Sequence, residues 1–119
     1  MIENISVDIT EENDISIVTV KGEIDIYTCG KLRSALADII EKKSYTFILD
    51  LTELIYIDST GLGTIAHCAR TVEKETGYIH IICKKPQIKK IFEVSGLERK
   101  NIKLHEDINE VEIKNEVKQ

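Results

Sequence analysis

The chain has 119 residues, of which 42% are hydrophobic and 31% charged, enough for one folded domain but not for two. Its formal net charge of -5 gives little support for nucleic-acid binding by phosphate neutralisation. No apolar run approaches the roughly 20 residues of a membrane span, and the first residues lack the pattern of an export signal. We therefore expect one globular domain over residues 1–119, located in the cytoplasm.

The first part of the chain predicts a hairpin and then a helix. Ile5 to Ile9 and Ile15 to Val20 alternate apolar and polar residues on either side of a polar break, which is typical of two antiparallel strands. Thr28 then stands where it could act as the N-cap of a helix. The apolar stripe of that helix recurs at helical spacing, at Leu32, Ala35, Leu36, Ile39 and Ile40.

The middle of the chain alternates strands with helices. Thr46 to Leu51 is almost continuously apolar, as expected of a central strand covered on both faces. A second amphipathic helix follows Ser59, and Tyr78 to Cys83 predicts another strand. Pro86 suits the first turn of a third helix, which Gly96 would close.

The C-terminal part predicts an edge strand and a further helix. Ile102 to Leu104 forms the strand, and Asp107 with Glu110 resembles a capping box that starts a helix over residues 107–117. The fold class is therefore α/β, with a mostly parallel central sheet, an antiparallel N-terminal strand and about four helices. Its core spans residues 5–107.

The three cysteines show no pattern of a disulfide framework or of a zinc site. Cys29, Cys68 and Cys83 are odd in number, widely spaced and without partnered histidines. We expect buried free thiols in a reducing compartment, and no metal ligands.

The turn around Ser59 is the strongest candidate for a functional site. Ser59 lies between the apolar stretch Leu54–Ile57 and an amphipathic helix, so we expect its hydroxyl to cap that helix. Gly61 and Gly63 in the first helical turn each cost about 0.5 to 1 kcal/mol relative to alanine, which indicates close backbone approach. A helix N-terminus also favours a negative group such as phosphate.

Three catalytic or cofactor-binding motifs compete for this turn. A hydrolase nucleophile elbow fails because Ile57 occupies its first glycine position, and no Walker A run is present. The range Gly61–Ala66 does fit the dinucleotide pattern Gly-x-Gly-x-x-Ala, but the next strand ends at Cys83 and Lys84 rather than at an acidic residue. A small nucleotide-binding or ligand-sensing domain that uses this turn remains the alternative.

Three motifs together resemble the STAS-domain anti-sigma factor antagonists of bacteria. They are Gly22 to Asp25, Asp58 to Gly63, and Ile91 to Leu97, each at the spacing of the family. The resemblance extends from Ile5 to Asp107 and is greatest to the antagonists of general-stress and sporulation sigma factors. It implies a single STAS domain that regulates transcription and is not an enzyme.

The resemblance also implies a mechanism and a set of site residues. Ser59 is the expected acceptor of a phosphate from the anti-sigma factor, itself a GHKL-type serine kinase. The unphosphorylated chain would bind this kinase and free the sigma factor, and a metal-dependent serine phosphatase would reset the switch. Asp25 and Asp58 would border the docking surface, and no cofactor is implied. The residues in contact with the kinase would be Thr60, Gly61, Leu62 and Gly63.

Two neighbours of Asp25 remain open to more than one interpretation. Tyr27 and Thr28 either contact the partner or only form the turn and cap the first helix. Short polar and aromatic residues serve both purposes, so the pattern alone does not separate them.

Overall fold

The computed structural model describes residues 4–98 and 101–111, which form six strands and three α-helices. None of these three helices is long and apolar enough to cross a membrane. The elements follow one another as β1 (Ile5–Glu12), β2 (Ile15–Ile24), α1 (Cys29–Glu41), β3 (Phe47–Asp50), β4 (Leu54–Ile57), α2 (Ser59–Glu73), β5 (Ile79–Ile82), α3 (Pro86–Ser95) and β6 (Ile102–His105), with a short 3-10 helix at Ile108–Glu110.

The sheet is mostly parallel, as the alternation of strands and helices predicts. Its main path runs β1-β2-β3-β5-β6, and only the β1–β2 pair is antiparallel. Each parallel step of this path is bridged by a helix, the usual connection between neighbouring parallel strands. The predicted α/β fold class with an antiparallel N-terminal strand is confirmed.

Strand β4 was not predicted, because its four residues follow β3 after only three others. Both β3 and β4 pair in parallel with β2, β3 at Ile17 to Thr19 and β4 at Gly22 to Ile24. The chain therefore continues along the same edge of β2 after a short interruption between β3 and β4. A register shift between Gly22 and Glu23 accompanies this interruption, and Gly22 has a positive φ of 103° that suits glycine.

All three helices bury their apolar stripes in one core. The strands contribute alternate residues to this core, among them Val18, Val20 and Leu49, which are at most 1% exposed. Phe92 on α3 is also fully buried there. Burial of a large apolar side chain stabilises a fold by about 1.5 to 3 kcal/mol, so this face of the sheet holds the helices in place.

The other face of the sheet carries a smaller apolar cluster. Ile17, Ile48 and Ile82 meet there, with Ile15 and Val111 packed against them. Because successive residues of a strand point to opposite faces, Ile17 and Val18 belong to different clusters. The central strands are thus apolar on both faces, which explains why Thr46 to Leu51 reads as a continuous apolar run.

The predicted C-terminal helix is reduced to a single 3-10 turn among the described residues. Asp107 accepts a hydrogen bond from the Asn109 N–H at 2.8 Å, and Glu110 accepts one from the Glu106 N–H at 3.1 Å. Each of these bonds is displaced by one residue from the pattern of a capping box, and Val111 is already extended. The described helices therefore number three rather than four, and the rest of the predicted range 107–117 lies outside the described residues.

Two histidines on β5 and β6 form a hydrogen-bonded pair. His80 Nδ1 lies 3.0 Å from His105 Nε2, so one ring donates and the other accepts, and both cannot be protonated while the bond lasts. Burial, with smaller contributions from His105 and Lys103, lowers the pKa of His80 to about 4. The folded protein therefore resists protonation of His80 more than the unfolded chain does.

We expect this lowered pKa to destabilise the fold in acid. Between about pH 6.5 and pH 4, His80 is protonated in the unfolded chain but not in the folded protein. The free energy of unfolding therefore falls as the pH falls through this window. The loss is about 1 to 2 kcal/mol, after allowance for partial exposure of the ring. Urea denaturation at pH 7 and pH 4.5 measures this loss as a difference in the free energy of unfolding. A His80→Asn variant with the same pH dependence as the wild type would contradict this assignment.

Candidate partner-binding site

The predicted site residues lie together at one end of the sheet. Strands β2 and β4 run in parallel and end side by side, at the pair Ile24 and Ile57. The Asp58 N–H donates to the Ile24 carbonyl at 3.1 Å, which ties the turn after β4 to the turn after β2. Loops beyond the carboxyl ends of parallel strands are common positions for binding sites. Asp25 and Ser59 therefore share one surface.

Asp58, not Ser59, caps helix α2. The Asp58 backbone is extended, and its Oδ1 accepts hydrogen bonds from the Thr60 N–H at 2.9 Å and the Gly61 N–H at 3.2 Å. Ser59 is already the first helical residue, so the predicted capping role of its hydroxyl is wrong. Aspartate and serine are about equally good caps, and the residue at which the chain leaves the strand decides between them.

The Ser59 side chain is exposed and available. Within residues 4–98 and 101–111 no group forms a hydrogen bond with its hydroxyl. It stands at the positive end of a helix of 15 residues whose cap is provided by the residue before it. A hydroxyl in this position can be reached by a large partner without any rearrangement of the helix.

The two glycines of the turn have different surroundings. Gly61 is buried, and a Cβ atom there would come within 2.6 Å of Ile24 and 2.7 Å of Ile57. The close backbone approach predicted at Gly61 is therefore a contact within this protein, because helix α2 rests directly on the sheet. Gly63 is exposed, and a Cβ atom there would meet nothing within 4 Å. Of the two glycines predicted to contact the kinase, Gly63 is accessible to a partner and Gly61 faces the core.

Asp25 forms the turn that follows β2. Its Oδ1 accepts hydrogen bonds from the Tyr27 N–H at 2.9 Å and the Thr28 N–H at 3.0 Å. Thr28 stands at the N-cap position of α1, but its hydroxyl donates to the Glu23 carbonyl at 2.8 Å instead of capping the helix. Tyr27 and Ile26 between them are exposed, and Ile26 was not singled out from the sequence.

A groove between α1 and α2 adjoins the Ser59 turn. Its volume is about 770 Å³, its floor includes Leu36, Ile40 and Cys68, and Thr60 and Gly63 form part of its edge. The turn thus borders a concave apolar surface, the usual shape of a binding region.

The cysteines are buried free thiols, as predicted. Cys29, Cys68 and Cys83 are all unpaired by disulfides. Burial raises the pKa of the Cys68 thiol to about 12 and that of Cys83 to about 11, so both are held in the unreactive thiol form.

Comparison with known proteins identifies the family of this chain. The STAS domain model matches residues 6–111. An anti-sigma-B factor antagonist of Listeria monocytogenes is 34% identical over 95 residues, covering 79% of this chain and 83% of the relative. The crystal structure of an anti-sigma factor antagonist from Mycobacterium paratuberculosis matches at a TM-score of 0.80 and 25% identity, over 88% of each chain.

A third match shows the fold at greater distance. The Bacillus cell fate determinant SpoIIAA in its phosphorylated form has a TM-score of 0.67 and 20% identity, over 87% of this chain and 95% of that one. The family match covers nearly all of the described fold, including the turns at Asp25 and Ser59. The chain therefore belongs to the STAS-domain family, among the anti-sigma factor antagonists.

Proposed function

We propose that this chain is a phosphorylation-controlled anti-sigma factor antagonist with Ser59 as the acceptor. The unmodified chain binds an anti-sigma factor, a serine kinase of the GHKL type, and so frees the sigma factor. The kinase then transfers a phosphate to Ser59 and the complex separates. A metal-dependent serine phosphatase removes the phosphate, and the cycle takes place in the cytoplasm.

The observation that carries this proposal is the free hydroxyl of Ser59 beside an already capped helix. The Ser59 side chain is exposed and has no hydrogen-bond partner among the described residues. Its oxygen can therefore attack the γ-phosphorus of ATP held in the kinase site, while the hydroxyl proton passes to a basic group of the kinase and ADP leaves. Neither α2 nor its cap has to move for this step.

The cap also supports loss of binding after phosphorylation. Three N–H groups at the start of α2 already donate to Asp58, those of Thr60 and Gly61 to its side chain and that of Leu62 to its carbonyl at 3.0 Å. A phosphate on Ser59 finds these donors occupied, and the Asp58 carboxylate adds like-charge repulsion. Its 1.5 to 2 negative charges would have to be desolvated in the interface, which strongly disfavours binding.

The remaining contact residues are proposed from the same surface. Thr60, Leu62 and Gly63 lie partly or fully exposed beside Ser59, where a bound kinase would touch them. Gly61, which is buried, would act by letting α2 lie close to the sheet. Asp25 and Asp58 would border the docking surface while forming its two turns.

The alternative of a nucleotide site in the turn Gly61–Ala66 gains no supporting observation. A dinucleotide site needs glycine N–H groups that face the pyrophosphate. Here the Gly61 N–H donates to Asp58, and the Gly61 Cα faces Ile24 and Ile57.

Release of the sigma factor tests the proposal. A complex of the anti-sigma factor kinase and a fluorescently labelled sigma factor from the same organism is mixed with the unmodified chain. We expect the anisotropy of the label to fall to that of the free sigma factor. No release with the chain in excess, together with a rise in melting temperature on addition of ATP, GTP or NAD alone, would favour the nucleotide-binding alternative.

A further inference from the structure

Two consecutive apolar side chains are exposed in the turn between β2 and α1. Ile26 is 66% exposed and Tyr27 is 91% exposed. Single exposed apolar residues are common on protein surfaces. Two in succession, both pointing into solvent at the end of the sheet that carries Ser59, are a feature that the packing of the core does not explain.

The backbone of this turn is fixed by its own hydrogen bonds. Asp25 Oδ1 accepts from two N–H groups of the turn, and the Asp25 N–H donates to the Thr28 hydroxyl at 2.8 Å. The Cys29 N–H donates to the Asp25 carbonyl at 2.8 Å. The turn is therefore already ordered, and a partner that binds Ile26 and Tyr27 pays little further entropy for the backbone.

The turn lies within reach of any protein that binds Ser59. The chain leaves β2 at Ile24 and β4 at Ile57, and these residues are paired in the sheet. Ile26 and Ser59 each stand two residues beyond this pair. A standard interface covers about 800 Å² on each partner, far more than the Ser59 turn alone provides.

We propose that Ile26 and Tyr27 are the apolar anchor through which the anti-sigma factor kinase holds this chain, an inference that rests on the proposed function. Tyrosine is enriched among the residues that dominate interface energies, because it buries a large rigid ring and keeps a polar end. The anchor binds before and independently of phosphate transfer, and Ser59 then acts as the charge-sensitive part of the same interface.

Charge favours the kinase over a second copy of this chain as the occupant. Glu23 and Asp25 precede the anchor in the chain, Asp58 is bonded through its N–H to the Ile24 carbonyl, and the chain as a whole has a net charge of -5. Two copies that met through this surface would bring like charges together, which costs binding energy. The complementary partner presents an apolar pocket with basic residues at its rim.

Binding of single variants to the purified kinase tests the anchor. The Tyr27→Ala chain is compared with wild type and with Tyr78→Ala, by titration without ATP. Tyr78 is also an exposed tyrosine, but it precedes β5 and so lies at the opposite end of the parallel sheet. We expect Tyr27→Ala to bind at least about tenfold more weakly, while Tyr78→Ala and Tyr27→Phe bind within about twofold of wild type. Equal thermal unfolding of all four chains shows that the fold is intact.

Four results would overturn the inference, and they are distinguishable. Wild-type affinity of Tyr27→Ala for a kinase that binds the unmodified chain would refute the anchor alone. Absence of binding by wild type would refute the proposed function, and the anchor with it. A tenfold loss for Tyr78→Ala as well would also count against a specific anchor. If the free wild-type chain elutes as a dimer in size-exclusion chromatography and the Tyr27→Ala chain elutes as a monomer, the surface is assigned to a second copy instead.

Discussion

The Ser59→Asp variant is expected to bind the anti-sigma factor kinase at least about 100-fold more weakly than wild type, a difference of about 2.7 kcal/mol. The added carboxylate would stand beside Asp58, whose own carboxylate already takes the Thr60 and Gly61 N–H groups. It would therefore enter the interface without a compensating donor, and burial of an unpaired charge costs several kcal/mol. Isothermal titration calorimetry without ATP measures the affinities of the wild-type and Ser59→Asp chains for the kinase.

Two further variants separate charge at Ser59 from other effects. Ser59→Ala is expected to bind as tightly as wild type, because the hydroxyl forms no hydrogen bond with any described residue. Thr10→Asp adds the same charge on the exposed part of β1 that pairs with Ile17, near the amino end of β2. We expect it to change the affinity by less than about twofold. An equal loss for Thr10→Asp and Ser59→Asp would contradict a local effect of charge at Ser59.

The two glycines of α2 should respond in opposite directions to alanine. Gly61→Ala would push a methyl group against Ile24 and Ile57, at distances of 2.6 and 2.7 Å. Overpacking of this kind costs about 1 to 3 kcal/mol, and we expect a net loss of about 2 kcal/mol in the free energy of unfolding. Gly63→Ala has open space and replaces glycine in a helix, so we expect a gain of up to about 1 kcal/mol.

Urea denaturation of the two alanine variants provides the comparison. The two substituted positions lie two residues apart in the same helix. The effect of alanine on helix propensity is therefore shared and cancels when the two changes in the free energy of unfolding are subtracted. Destabilisation by both substitutions to the same extent would contradict the internal role of Gly61. A Gly63→Ala chain that gains stability but binds the kinase less tightly would assign Gly63 to the partner rather than to the fold.

Periodicity in the sequence predicted most of the architecture. The helices at Leu32 to Ile40 and after Ser59 followed from apolar stripes, because only one face of each helix meets the core. Pro86 begins α3, and Gly96 ends it with a positive φ of 75°, as predicted from their backbone preferences. These signals are local, and each element is long enough to display them.

The errors in prediction have tertiary causes. Strand β4 has four residues and is fixed by its pairing with β2, which no local pattern reveals. Asp107 and Glu110 only approximate the predicted capping box, because their side chains bond the Asn109 and Glu106 N–H groups, and an extended Val111 follows within the described residues. That residue packs against the apolar cluster of Ile17, Ile48 and Ile82 on the other face of the sheet.

The place of the candidate site on the sheet could be anticipated from the family motifs, and its role in partner binding stays a prediction. The family motif brought attention to Asp25 and Ser59, which the sheet does place at one end. The sequence could not show that Asp58 caps α2 or that Gly61 faces the core, because both depend on where the chain leaves β4. Ile26 could have been found as an apolar residue in a turn, where polar residues are the rule.

The position of the phosphate tests the central claim most directly. The chain is incubated with its anti-sigma factor kinase and ATP, digested, and analysed by tandem mass spectrometry. We predict one phosphate per chain, on Ser59, and loss of the complex with the kinase as this phosphate accumulates. Phosphate on Thr60 in place of Ser59, or a chain that stays bound when Ser59 is fully phosphorylated, would contradict the account.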